Sequence, residues 1–107
     1  MTYDQFLATL TEAVPPQGLP SSLRALWHER SGQGDWHQAH ALVESLDSAT
    51  AAWVHAYLHR REGDRSNAAY WYRQAGQPFP SSTTLDDEWE VLVNAFLGEG
   101  RGTRDEG

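Results

Sequence analysis

The sequence contains no cysteine, no lysine and no isoleucine among its 107 residues. The absence of cysteine excludes disulfides, thiolate metal sites, iron–sulfur clusters and a cysteine nucleophile. The absence of lysine means that any anion-binding site is built from arginine or histidine. No stretch approaches the roughly 20 apolar residues of a membrane helix, and residues 1–14 lack the basic start and apolar run of a signal peptide. We therefore expect a cytoplasmic protein that does not associate with membranes.

The negative charge is concentrated at the two ends of the chain. The net charge is −7 and the pI is near 5.0, which argues against binding to nucleic acid or to an anionic membrane. Residues 77–107 hold seven acids and two arginines, whereas residues 20–76 are neutral and hold all five histidines and six arginines. The acidic run Asp86-Asp87-Glu88 is typical of a solvated helix start, where the helix dipole favours acids.

Prolines and glycines divide the chain into helical segments. Between the breaks near residues 15–20 and 78–80, apolar residues recur with a period near 3.6, and no segment alternates like a strand. Asp35, Ser48 and Asp64 stand where N-caps are expected. The sequence predicts one all-α domain of about six helices over residues 1–97. Residues 98–107 are Gly-rich, charged and poor in apolar side chains, so they are expected to form a disordered tail.

Two helix junctions resemble each other at a spacing of 29 residues. The first reads GDWHQAHALV from Gly34 to Val43, and the second reads GDRSNAAYWY from Gly63 to Tyr72. Such self-similarity is the signature of stacked helix pairs. The glycine ends one helix, the aspartate caps the next, and a small alanine lets the two helices approach closely.

The second unit resembles the tetratricopeptide-repeat family. It matches the family pattern at six positions: Ala56, Gly63, Ala68, Tyr72, Ala75 and Pro80. The first unit matches the pattern at Leu23, Leu26, Gly34 and Ala39. It departs from the pattern at Trp27, Val43 and Leu46. The stretches WVHAYLHRREGD and NAAYWYRQAG are also similar to a core of uncharacterised bacterial proteins, a resemblance that implies no activity.

The tetratricopeptide resemblance implies a short right-handed array of antiparallel helix pairs over residues 20–80. The first and last helices would cover its open faces. The period of 29 residues is shorter than the family period of about 34 residues, so the chain must turn abruptly at Asp47 and Ser48. The family also implies a concave face that binds peptides. At the matching positions, that face carries Arg24, His28, Trp53, Tyr57, Arg60 and Arg61.

Arginine and aromatic side chains on such a face predict an acidic ligand, such as a peptide or its C-terminus. Arginine binds carboxylates in a bidentate manner, and aromatic rings beside it add apolar contact. Alternatively, Trp53 belongs to the core, and the arginines cap helices or pair with Glu62 and Asp64. The chain's own acidic tail is a third candidate for the groove, which would make the protein self-masking or join two copies as a homodimer.

The sharpest pattern of functional side chains is a group of histidines. His55 and His59 are four residues apart, so they lie on one face of a helix at a spacing that metal sites use. His40 and Glu44 are likewise four apart on the preceding helix, and Glu62 lies one turn after His59. These five residues are candidate ligands for zinc or another divalent metal, in a binding or hydrolytic role.

The same histidines have a structural interpretation. In a helical repeat they fall at inward-packing positions, where they would be core side chains bonded to a carboxylate, a tyrosine or a backbone carbonyl, or stacked on a tryptophan. The HExxH signature is absent because Ala56 stands where its glutamate would be.

No phosphate-binding loop, dinucleotide fingerprint or nucleophile elbow is present, and we assign no catalytic residue. The favoured interpretation is a non-enzymatic interaction module without a cofactor, which binds an acidic peptide or protein or a second copy of itself. The alternative is the histidine metal site. A third interpretation is a structural protein with no ligand.

Overall fold

Six α-helices and one short 3₁₀-helix follow one another in the part of the chain that the structure describes. The computed structural model describes residues 1–31 and 35–105, with side chains described up to residue 98. The helices are α1 (Tyr3–Ala8), α2 (Ser21–Arg30), α3 (Trp36–Val43), α4 (Ala49–Arg61), α5 (Arg65–Ala75) and α6 (Leu85–Asp105), with the 3₁₀-helix at Thr9–Thr11. No strand occurs in the described residues, so the prediction of an all-α protein with about six helices is confirmed.

The last helix continues into the segment for which the sequence predicts disorder. Residues 98–105 form the end of α6, whereas Glu106 and Gly107 lie outside the described residues. The earlier part of the helix is anchored in the core by Trp89, Leu92 and Val93. Because nucleation is the costly step of helix formation, an anchored helix extends at little further cost.

Three helices begin at the N-caps that the sequence identifies. Asp35, Ser48 and Asp64 each accept a hydrogen bond from the backbone N–H three residues later, at 3.1–3.3 Å. Gly63 ends α4 with a positive φ of 88°, a conformation that favours glycine. The Asp64 N–H then bonds the carbonyl of His59 at 2.9 Å, which closes the turn between α4 and α5.

The helices pack as two hairpins, α2 against α3 and α4 against α5. Ala39 of the first hairpin and Ala56 and Ala68 of the second are 0% exposed. These small side chains allow the close approach that the repeated Gly-Asp-x-x-x-Ala pattern predicts. Gly34, the first residue of that pattern in the first unit, lies outside the described residues.

Helix α6 packs against both hairpins and completes the core. Trp89 is fully buried, and its indole N–H donates to the Leu26 carbonyl of α2 at 3.1 Å. The Phe6 ring of α1 also packs against Trp89, with the ring centroids 6.0 Å apart. The first and last helices are thus joined to each other as well as to the hairpins. Across the described segments, we find no helix with the length and apolar character needed to span a membrane.

Candidate functional site

Three of the five histidines converge where α3 meets α4. The ring centroids of His40 and His55 are 4.5 Å apart, those of His55 and His59 are 5.0 Å apart, and those of His40 and His59 are 5.2 Å apart. One nitrogen from each ring lies within 4.8 Å of the other two. The sequence-predicted candidates His40, His55 and His59 therefore form a single cluster, which we call the histidine cluster.

Two helices build the histidine cluster. His55 and His59 lie one turn apart on α4, and His40 reaches them from the neighbouring α3. His55 is 5% exposed and His59 is 9% exposed, whereas the His40 side chain is 22% exposed. The cluster is thus largely buried, with its most open side at His40.

Tryptophan rings flank the cluster on two sides. Trp36 is stacked on His40, with centroids 4.9 Å apart and ring planes 13° apart, and Trp71 of α5 is stacked on His55 at 4.0 Å and 14°. The Trp36 indole N–H donates to the Leu58 carbonyl at 2.7 Å. These contacts restrict the orientation of two imidazoles, as the surroundings of a metal ligand must.

Carboxylates lie beside His59 and His40. Glu62 Oε2 is 2.9 Å from His59 Nδ1, and Glu44 Oε1 is 3.5 Å from His40 Nδ1. A neutral imidazole that donates from Nδ1 to a carboxylate keeps its lone pair on Nε2. Carboxylates commonly orient metal-binding histidines in this way and increase their basicity. The sequence predicts Glu44 and Glu62 as candidate ligands, and the structure places each next to the Nδ1 of a histidine.

Burial keeps His40 and His55 uncharged at neutral pH. Burial, together with the nearby His40 and His59, lowers the pKa of His55 to about 4. Burial also lowers the pKa of His40, against the opposing effect of Glu44. Because only neutral imidazole offers a lone pair, both rings are in the protonation state that binds metal at pH 7.

The spacing of the nitrogens is close to that of a metal site. In tetrahedral zinc coordination, with Zn–N bonds of about 2.0–2.1 Å, two nitrogens are about 3.3–3.4 Å apart. The three imidazole nitrogens lie within 4.8 Å of one another. Each pair must therefore approach by at most about 1.5 Å to hold zinc. Zinc binding would therefore require the side chains to rotate towards one another.

A second group of metal-type side chains overlaps the first. Atoms of His59, Glu62 and Asp64 also lie within 4.8 Å of one another. Both Asp64 oxygens, however, accept hydrogen bonds from Asn67, at 3.3 Å from its backbone N–H and at 2.7 Å from its side-chain amide. Asp64 therefore acts as the N-cap of α5, and the three imidazoles are the better ligand set.

The side chains that were predicted to line a peptide groove make contacts within the chain instead. Arg60 donates to Oε1 of Glu88 at 2.8 Å and also bonds the Thr83 carbonyl. Tyr72 donates to Glu88 Oε2 at 2.5 Å, and the Trp53 indole donates to the same oxygen at 3.3 Å. Glu88 is 3% exposed, so the reading of its acidic run as wholly solvated is wrong at this position. The start of α6 therefore covers Trp53 and Arg60. The Glu88 carboxylate accepts the hydrogen bonds that the sequence analysis assigns to an acidic ligand.

A second buried carboxylate engages two more of the groove candidates. Glu29 has a side chain that is 3% exposed; it accepts a hydrogen bond from the Tyr57 hydroxyl at 3.0 Å and pairs with Arg61 Nε at 3.0 Å. Tyr57 is 0% exposed and also accepts a hydrogen bond from Arg30 at 3.3 Å. Burial raises the pKa of Tyr57 well above its usual range, which keeps the phenol protonated as a donor. Tyr57 is therefore a core residue and does not line an open groove.

The remaining two candidates lie on α2. Arg24 donates to the Leu19 carbonyl at 3.3 Å, and the His28 ring packs edge-on against Trp27 at 5.1 Å. Burial lowers the pKa of His28. These contacts are local, so the structure does not join Arg24 and His28 to the Arg60 network.

Sequence reasoning missed four residues that shape these sites. Trp36 and Trp71 flank the histidine cluster, and Glu29 and Glu88 are the buried carboxylates. Trp36 precedes His40 by four residues, so helical spacing alone places them on one face. Trp71 comes from another hairpin, and no local pattern pairs it with His55.

Comparison of the chain with protein-family models, with curated proteins and with solved structures returns no significant match. Its function is therefore inferred from the geometry of the site.

Proposed function

We propose that this protein binds one divalent transition-metal ion through His40, His55 and His59. The observation that carries the proposal is the convergence of three imidazole nitrogens within 4.8 Å in a largely buried place. Imidazole suits Zn²⁺, Cu²⁺ and Ni²⁺, whereas Mg²⁺ and Ca²⁺ prefer oxygen ligands. Zinc is the natural first ion to test.

The surroundings of the three rings support this assignment. Glu62 and Glu44 lie at the Nδ1 atoms of His59 and His40, which leaves Nε2 for an ion. The contacts of the His55 ring are to His40, His59 and Trp71, and among the described residues no carboxylate pairs with it. An ion bound by the three rings would give His55 a charged partner within the cluster.

Three protein ligands leave one coordination position for water. This is the arrangement of catalytic zinc sites, whereas structural zinc sites use four protein ligands. A water bound to such an ion ionises near neutral pH. The proposed site can therefore hold the ion for storage or delivery, or activate a water molecule for hydrolysis.

The contacts of the arginines lend no support to an acidic-peptide groove. Arg60 pairs with Glu88 and Arg61 pairs with Glu29, so both charges are already compensated within the chain. Recognition of a protein partner and pairing of two copies stay predictions from the sequence.

The direct test is zinc titration of untagged, chelator-treated protein by isothermal calorimetry. We expect one Zn²⁺ per chain, with binding weakened at least 100-fold in both His40→Ala and His55→Ala. His37→Ala is the matched control, because His37 is an exposed residue of α3 outside the cluster. It should bind zinc like the unchanged protein.

Two results would overturn the proposal. The first is the absence of zinc binding by the folded, unchanged protein. The second is an equal loss of affinity in His37→Ala and His40→Ala. Circular dichroism of each variant checks that the helices are intact, and His40 is the safer substitution because it is the most exposed of the three ligands.

A further inference from the structure

Helix α3 packs mainly against α2 and contributes two fully buried side chains to the core. It is only eight residues long, and its buried residues are Ala39 and Val43. The turn that follows it is exposed, with Leu46 at 42%. Helices with little buried apolar surface open locally at a lower free-energy cost than the core of a domain.

The three ligands divide unequally between the helices. His55 and His59 belong to α4, which contributes eight buried residues to the core. His40 alone comes from α3. An ion bound by all three rings therefore joins a weakly anchored helix to a strongly anchored one. Within the described residues, a 2.7 Å hydrogen bond from the Trp36 indole N–H to the Leu58 carbonyl already links α3 to α4.

The tryptophans that stack on the histidines are also divided between helices. Trp36, also on α3, lies against His40 and meets His59 edge-on at 5.8 Å. Trp71 supports His55 from α5. Opening of α3 would thus remove one ligand and one aromatic wall together, and would leave His55 and His59 in place on α4.

We propose that metal binding locks α3 onto α4, so that occupancy of the site controls whether α3 is docked on α4. This inference rests on the proposed function, because it takes the three histidines as the ligands. A ligand that binds only the closed state reduces the population of the open state by a factor of one plus the ratio of its concentration to Kd. At a free zinc concentration of 100 times Kd, opening of α3 should become up to about 100-fold rarer.

Amide hydrogen exchange of the whole protein tests the proposal, with zinc absent and with zinc in excess. In the metal-free protein, we expect residues 36–44, which are α3 and its C-cap, to exchange faster than residues 89–96 of α6. Zinc should slow the exchange of residues 36–44 by one to two orders of magnitude. His40→Ala should abolish that slowing, whereas His37→Ala on the same helix should retain it.

The outcomes separate this inference from the proposed function. If zinc binds with one ion per chain but exchange in residues 36–44 is unchanged, the locking of α3 is wrong and the metal site stands. If residues 36–44 already exchange as slowly as residues 89–96 without zinc, the locking is also wrong. If calorimetry shows no zinc binding, both proposals fall.

Discussion

The indole ring of Trp71 lies flat on the imidazole ring of His55, with the centroids 4.0 Å apart and the planes 14° apart. The two residues belong to different helices, α5 and α4. Trp71 thus supports the most buried member of the histidine cluster from a helix that contributes no ligand. A ring held on one face in this way keeps its rotamer, and a ligand that is already oriented loses little entropy on binding.

We predict that Trp71→Leu weakens zinc binding about tenfold, because His55 then loses the ring that orients it. Trp71→Phe should restore most of the affinity, since it keeps an aromatic face. Tyr70→Leu is the control, because Tyr70 is the neighbouring aromatic residue and is 44% exposed. Calorimetric titration of the three variants measures the effect. Equal affinities in Trp71→Leu and Tyr70→Leu would show that the stacking does not orient the ligand.

Glu62→Gln should weaken zinc binding by about 10–100-fold without removing the site, because the amide cannot act as a charged acceptor for His59 Nδ1–H. Glu44→Gln should have a smaller effect, since Glu44 is 53% exposed and lies 3.5 Å from His40 Nδ1 instead of 2.9 Å. Competition with a colorimetric chelator gives both affinities. A larger loss in Glu44→Gln than in Glu62→Gln would contradict the roles assigned from these distances.

The elements of the fold could be predicted because their signals are local. Asp35, Ser48 and Asp64 mark helix starts by their own hydrogen bonds, and the periodicity of apolar residues marks the helices between them. The pairing of His55 with His59 is local for the same reason. Placing His40 beside them required only that consecutive helices pack together.

The contacts of α6 could not be predicted in the same way. Asp86 has a side chain that is 80% exposed, whereas Glu88, two residues later in the same acidic run, is 3% exposed. Glu88 is spaced three residues from Leu85 and four from Leu92, so helical spacing does place it on the apolar face. Its partners Arg60 and Tyr72 come from two other helices, and no single-sequence pattern identifies them. The position of α6 depends on these long-range contacts, which the sequence does not show. The sequence therefore predicts an open groove.

Glu88→Gln should lower the free energy of unfolding by about 3 kcal/mol, because it removes one partner of a buried ion pair and leaves the Arg60 guanidinium without its counter-charge. The Tyr72 hydroxyl also loses a charged acceptor. Glu90→Gln, two residues further along α6 and exposed, should change stability by less than about 0.5 kcal/mol. Urea unfolding followed by circular dichroism gives both values. Similar midpoints for the two variants would mean that the Glu88 pair contributes little to the fold.

The metal-free protein should lose stability as the pH falls from 7 to 4, partly through His55. Its pKa is lowered from 6.5 to about 4 by burial and by the facing rings of His40 and His59, while Trp71 covers its other face. Between these values the unfolded chain binds a proton that the folded chain does not, so protons favour unfolding. The contribution of His55 should be about 2 kcal/mol at pH 4, less than the full shift would give, since the cluster keeps some contact with solvent.

Comparison with His55→Gln isolates this contribution, because the two proteins differ only at this titratable side chain. Urea unfolding at several pH values should show a smaller loss of stability for His55→Gln than for the unchanged protein between pH 6.5 and pH 4. Parallel profiles for the two proteins would mean that His55 takes up its proton equally readily in the folded and unfolded chains. That result would require the His55 ring to be open to solvent in the folded chain, whereas the residue is 5% exposed.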